Sequence, residues 1–344
     1  MRGVLRVSIA LLSIAVLRAQ AAPSSKSVAA DRIWFSPNPG TLDLLRMFED
    51  PDAWKRARAL MQVFNFTGQH TFAEPPPIVG PNSYAALVRV DAFRKLTQWR
   101  KKISIGVGPV KEGYCTADAS GMNQSVADTL KDIDAVSSAG GTVSYLSMDE
   151  PWVSGRSRRC GGPALEPTAD RVAFYMSSVS RVHPTLAIGL IEAYPFSSAD
   201  EIESMLTLLQ QRNTLPAFLH MDVDWHALKP GEFARDMKRL QTRCRAQSIP
   251  FGIILTGYNG DADALFAVDV YGIARQIADT FLRWSEMPDH IMLDSWVLTA
   301  NGLNITPSNL PDNRPFTQTN MLLDVYRYLR GVNGVTASGA AVSR

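Results

Sequence analysis

Val143-Ser144-Tyr145-Leu146-Ser147-Met148-Asp149-Glu150-Pro151-Trp152 is an apolar run of strand length that closes on two carboxylates, a proline and an indole. Three more stretches have the same form: Ile188-Gly189-Leu190-Ile191-Glu192-Ala193-Tyr194-Pro195, Phe218-Leu219-His220-Met221-Asp222-Val223-Asp224-Trp225 and Ile291-Met292-Leu293-Asp294-Ser295-Trp296. Strands buried on both faces read as short, near-continuous apolar runs. Such runs alternating with helical patterns indicate βαβ units.

The alternation extends along the chain. Strands are expected at Arg32 to Ser36, Gln62 to Thr67 and Ile103 to Gly108, then in runs ending at Glu150, at Glu192, near Asp222 or Asp224, at Phe251 to Thr256 and near Asp294 to Trp296. Helices are expected at Leu42 to Leu60, broken by Pro51, and at Asn82 to Trp99, Val126 to Ala139 and Thr168 to Val182. Further helices follow at Ser198 to Gln211, Gly231 to Gln247, Ala262 to Glu286 and Thr319 to Arg330. Ser198 and Glu201 have the spacing of a capping box. Eight such units predict an α/β fold, a single (β/α)8 TIM barrel, with all strand carboxyl ends on one rim. An open doubly wound sheet is the competing arrangement. It calls for a glycine-rich phosphate loop, and Gly106-Val107-Gly108-Pro109 is a poor match to one.

The first 21 residues are expected to lie outside the fold. Met1, Arg2 and Arg6 are followed by the apolar run Val7 to Val16, and Ala19-Gln20-Ala21 suits signal cleavage. The competing reading, an uncleaved anchor, is disfavoured because a span needs ~20 apolar residues. Residues 22–331 then form the barrel, and the Gly-, Ala- and Ser-rich residues 332–344 are expected to be a disordered tail. The expected location is secreted or periplasmic, as a monomer with no membrane contact after cleavage. With 35 basic and 33 acidic residues and no basic stripe, nucleic acid is not an expected partner. Of the three cysteines, Cys115 and Cys160 fall in loops on the same rim and are candidates for a disulfide, while Cys244 reads as a buried thiol.

Acids and flat rings gathered on one rim suit a carbohydrate, with carboxyls for proton transfer and rings for sugar faces. Glu150 is the first catalytic candidate, because Met148 and Trp152 beside it would desolvate a carboxyl and raise its pKa, as a general acid requires. Asp149 must point the other way, since strand side chains alternate.

Asp149-Glu150-Pro151 resembles the Asn-Glu-Pro signature on the fourth strand of the large retaining clan of (β/α)8 glycoside hydrolases, whose Glu is the acid/base. The resemblance implies that role for Glu150. It departs from the clan in having Asp for Asn, and in a seventh strand that ends Thr256-Gly257-Tyr258-Asn259 with no nucleophile Glu. The chain more loosely resembles chitinase-type barrels, with Trp296 in the place of their strand-eight Trp and their full acidic signature on strand four absent.

Glycoside cleavage ordinarily uses two carboxyls. Glu192 is the preferred second, with Asp222, Asp224 and Asp294 as the other candidates. Trp34, Trp152, Tyr194, Trp225, Tyr258 and Trp296 are candidate sugar platforms, and Asp149, Asn65, Gln69 and His70 are candidate partners of hydroxyl groups. Neither a metal nor a cofactor is expected for this glycosidase. A divalent-metal sugar isomerase or epimerase would instead use His70 and His220 with Glu150, Glu192, Asp222 and Asp294. A barrel that only binds glycans is the third alternative. No Gly-x-Ser-x-Gly elbow supports a serine hydrolase.

Overall fold

The computed structural model describes residues 32–71, 80–116, 118–257, 262–281, 287–296 and 307–338. The signal-like segment and Tyr258 lie outside the described residues. Eight parallel strands form a closed barrel in sequence order: β1 (Ile33–Phe35), β2 (Val63–Thr67), β3 (Lys102–Val107), β4 (Val143–Asp149), β5 (Ala187–Tyr194), β6 (Leu219–Val223), β7 (Phe251–Leu255) and β8 (His290–Leu293). β1 pairs with both β2 and β8, which closes the ring. The chain is therefore a single (β/α)8 barrel.

The helices between them are α1 (Arg46–Glu49), α2 (Lys55–Leu60), α3 (Tyr84–Arg89), α4 (Ala92–Gln98), α5 (Ser120–Ser138), α6 (Pro151–Gly155), α7 (Leu165–Val182), α8 (Ala199–Gln211), α9 (Glu232–Ala246) and α10 (Asp263–Phe281). α11 (Gln318–Ser338) follows β8 and runs past Gly331 into the stretch expected to be a tail. Among the described residues, no helix is long and apolar enough to cross a membrane. Pro51 divides the first helical stretch, as anticipated. The second is also divided, at Asp91, whose φ of 56° interrupts the helix before α4. The Ser198–Glu201 capping box is formed.

Successive strand side chains alternate between the two faces. Outward-facing Phe35, Phe64, Ile105, Leu146, Leu190, Met221, Ile253 and Leu293 pack in the main core with the helices. A second, smaller core lies inside the barrel and includes Trp34, Val63, Tyr145, Phe218, Ile254 and Met292. The Trp34 ring lies 4.8 Å from Tyr145 and 5.0 Å from Phe218. His220 and His290 join this plug, with 2.8 Å between their Nε2 and Nδ1 atoms. Trp34, a candidate sugar platform, is thus an interior ring with no exposed surface. The plug also removes His220 from any ligand role at the rim.

These rings fit only because some strands supply no side chain opposite them. A Cβ on Gly189 would lie 2.4 Å from three carbons of the Phe218 ring, and one on Gly252 would lie 2.5 Å from the His220 ring. Overpacking of this kind costs about 1–3 kcal/mol. Gly189→Ala is expected to lose stability in that range, read as a lower denaturant midpoint with an unchanged slope.

Candidate active site

Above the plug the barrel opens into a cleft of about 590 Å³ at the carboxyl ends of the strands. Its floor includes Ile191, Ile254 and Met292, and its rim carries Asp149, Glu150, Asp222, Asp294 and Trp296. Strand parity explains the selection. Asp222 follows Phe218 and His220 on the inner face of β6, and Asp294 follows His290 and Met292 along β8. Trp296, 39% exposed, stands at the opening.

Glu150 reaches the rim by another route. It has φ 45° and ψ 51°, a left-handed conformation, and its N–H still donates to Ile191 O at 2.9 Å. The left-handed region costs a non-glycine residue of order 1–3 kcal/mol and is characteristic of functional sites. The turn lets the strand end and α6 begin within one residue, an element the sequence did not announce.

The acids raise one another's pKa. Burial puts the Asp222 carboxyl well above the usual range, and the charges of Asp294, Glu150 and Asp149 push the same way. Asp222 is 6% exposed, and its Oδ1 has no hydrogen-bond partner. Burial lifts Asp294 to about 6 against the opposing Ser36 hydroxyl. Glu150 is raised by burial and by Asp149, and Lys111 opposes the rise. Lys111 Nζ lies 3.2 Å from Asp149 Oδ2 at the open edge.

Glu192 is the main correction. β5 continues two residues beyond it, to Tyr194. Ala187 and Ile191 are inward-facing, so by alternation Ile191 faces the cleft and Glu192 faces the helix layer. There its Oε1 accepts the Trp152 N–H at 2.9 Å, at the start of α6. Glu192 lies beneath the Glu150 turn, outside the cleft lining, and is not a rim acid.

Other candidates also leave the cleft. Tyr194 points outward and donates to Asp236 at 2.8 Å. Trp152 is buried beneath Arg156, whose guanidinium carbon is 5.1 Å from its ring. Asp224 accepts the backbone N–H groups of His226 and Ala227, which caps a short turn. Trp225 packs on α10, where a Cβ on Gly272 would approach its ring to 2.6 Å. His70 is buried against Phe66, and burial lowers its pKa to about 4, leaving a neutral ring outside the cleft. Among the described residues, no three His, Cys, Asp or Glu side chains are grouped to hold a metal.

Asn65 and Gln69 do line the cleft. So do residues the sequence reading missed: Lys111, Asp128 and Asp132. The two aspartates lie on α5, away from any strand end, and their only sequence signal is a four-residue spacing. Cys115 and Cys160 form a disulfide between the loops after β3 and β4, and Cys244 is a buried free thiol.

No protein-family model matches the chain, and no curated protein sequence matches it. Solved structures of similar fold include a glucosidase from Croceicoccus marinus, at 14% identity over 88% of this chain and 68% of that one, with a TM-score of 0.51. An L-ribulose 3-epimerase matches at 13% identity over 91% and 99%, with a TM-score of 0.52. A D-allulose 3-epimerase from Methylomonas sp. matches at 12% identity over 91% and 100%, with a TM-score of 0.51. Likeness at these identities establishes the shared barrel. The barrel by itself does not select a chemistry.

Burial pushes the Glu192 carboxyl up to about 8; the Trp152 N–H opposes this, and the charges of Glu150 and Asp149 add to it. A carboxyl raised on folding stabilises the protein below its unfolded pKa of about 4.3. That contribution is lost as pH rises through the folded value of about 8. Glu192→Gln keeps an acceptor for the Trp152 N–H and removes this titration. Its denaturant midpoint should fall less than that of wild type between about pH 5 and about pH 8.

Proposed function

We propose that this barrel is a glycoside hydrolase acting on an oligo- or polysaccharide, with Asp222 and Glu150 as its two working carboxyls. The observation that carries the proposal is Asp222: a buried carboxyl on the rim, with one oxygen unpartnered and its pKa raised well above the usual range. Such a group holds its proton to higher pH than an ordinary carboxyl, which suits delivery of that proton to a glycosidic oxygen. Glu150, beside Lys111 and Asp149, is the less buried of the pair. It acts as the carboxylate that attacks the anomeric carbon or activates a water. Asp294, with Ser36, holds a substrate hydroxyl. Trp296 offers a ring face to the sugar at the opening. The chain acts as a monomer, and the Cys115–Cys160 disulfide supports an oxidising, extracytoplasmic compartment.

Reducing-sugar release over a panel of α- and β-linked polysaccharides tests this proposal. Asp222→Asn and Glu150→Gln should each lower kcat/KM by about 10²–10⁴-fold with melting temperature unchanged or raised, and a chelator should leave wild-type release intact. Release that survives in either variant would sink the assignment, and release abolished by the chelator would move the chemistry to a metal. The pH profile of wild type should rise from acid pH as Glu150 ionises and fall on the alkaline side as Asp222 loses its proton.

A further inference from the structure

β5 carries one carboxyl that the proposed chemistry does not use. Glu192 is 2% exposed, and its Oε2 has no hydrogen-bond partner. Leu190 and Tyr194 share its face of β5, and both belong to the apolar core. Arg156 acts on it by charge, but that guanidinium lies 2.8 Å from Glu201. A carboxyl in an apolar layer, with one oxygen unpaired, costs stability that an apolar side chain would not. Its use lies in the bond its other oxygen accepts, from the Trp152 N–H at 2.9 Å.

That bond falls at a helix start with a missing donor. Pro151 is the first residue of α6 and has no N–H, so the Trp152 N–H is the first that needs a partner. An N-cap side chain ordinarily meets an N–H two or three residues on. Here the N-cap is Glu150, and its side chain makes no such bond. Glu192 meets the Trp152 N–H in its place, and the Glu150 carboxyl is left for the cleft, which it lines. The other end of the turn is held from the same strand, since the Glu150 N–H donates to Ile191 O at 2.9 Å. Two adjacent residues of β5 thus hold a turn whose left-handed backbone is unfavourable by itself.

We infer that Glu192 is a positioning residue for Glu150: it caps α6 from the neighbouring strand, keeps the turn left-handed and leaves the Glu150 carboxyl facing the cleft. Its part is that of an acceptor. Burial raises its pKa to about 8, so below that pH the acceptor is largely the oxygen of a neutral carboxyl. A glutamine oxygen can replace it. The consequence for turnover rests on the hydrolase reading above; the consequence for the turn does not.

Glu192→Gln and Glu192→Met separate the roles, because both fill the space and only the first keeps the oxygen. Crystal structures and steady-state kinetics of the two are compared with wild type. Glu192→Gln should keep Glu150 left-handed and kcat near that of wild type. Glu192→Met should let the Glu150 backbone leave the left-handed region and lower kcat about 10²-fold, as misplacement of a reacting group does. KM should change little, since Glu192 is not among the described residues that line the cleft. Glu192→Leu takes the place of Glu192→Met if that variant does not fold.

Loss of kcat in both variants with the turn intact would make Glu192 a reacting acid and overturn the inference. So would a Glu192→Met protein that keeps both the turn and kcat and loses only stability, the mark of a plain helix cap. A turn that moves while kcat stays unchanged takes Glu150 out of the chemistry and spares the hold of Glu192 on the turn. Wild type that releases no sugar from any substrate sinks the hydrolase reading alone. The turn then decides: left-handed Glu150 in Glu192→Met overturns the inference, and its loss there but not in Glu192→Gln upholds it.

Discussion

Everything chemical in this molecule stands on the plug of rings inside the barrel. An eight-stranded barrel has an interior just wide enough to be filled by side chains. Trp34, Tyr145, Phe218, His220 and His290 fill its amino-terminal half, opposite the bare backbone of Gly189 and Gly252. Ile191, Ile254 and Met292 lie above them as an apolar floor. Carboxyls on that floor have solvent on one side only, so burial leads the causes that raise Asp222 and Asp294. The solid lower half makes the upper half a place where an acid holds its proton more tightly than in water.

A second layer of control lies outside the barrel. Glu192 faces the helices and takes no part in the rim. It holds the N–H of Trp152 two residues beyond Glu150, on a segment whose backbone is strained at Glu150 itself. An unfavourable backbone conformation persists where neighbours over-determine it. The β5 carbonyl of Ile191 and the carboxyl of Glu192 grip this turn from its two ends. The exposed Lys111–Asp149 pair adds little to stability; its effect is on the charge balance around Glu150.

The barrel was legible because both faces of each parallel strand are buried, which writes each one as a short apolar run. The acids of β4, β6 and β8 were legible for a related reason, since each ends such a run. Glu192 and Tyr194 depart from expectation because the strand-end position alone selected them and the alternation along β5 was not followed. A shift of strand end leaves parity unchanged, and Gly189 and Ile191, the inward residues, already put Glu192 on the outside. The rings were harder. A Trp at a strand end is equally suited to plug, helix interface or rim, and only the volume around it decides among Trp34, Trp225 and Trp296. Asp128 and Asp132 carry no strand signature, and tertiary packing of α5 beside the cleft is what makes them part of it.

The Cys115–Cys160 bond joins the loop that follows β3 to the turn that follows α6. Lys111 and Tyr114 stand on one side of this bond and the Glu150 turn on the other. One wall of the cleft is therefore fastened covalently, and its width there is set when the protein oxidises, before any ligand arrives. Chain made and kept in a reducing cytosol would have the same barrel and the same acids with that wall unfastened. The history of the molecule, as well as its sequence, enters the geometry of its mouth.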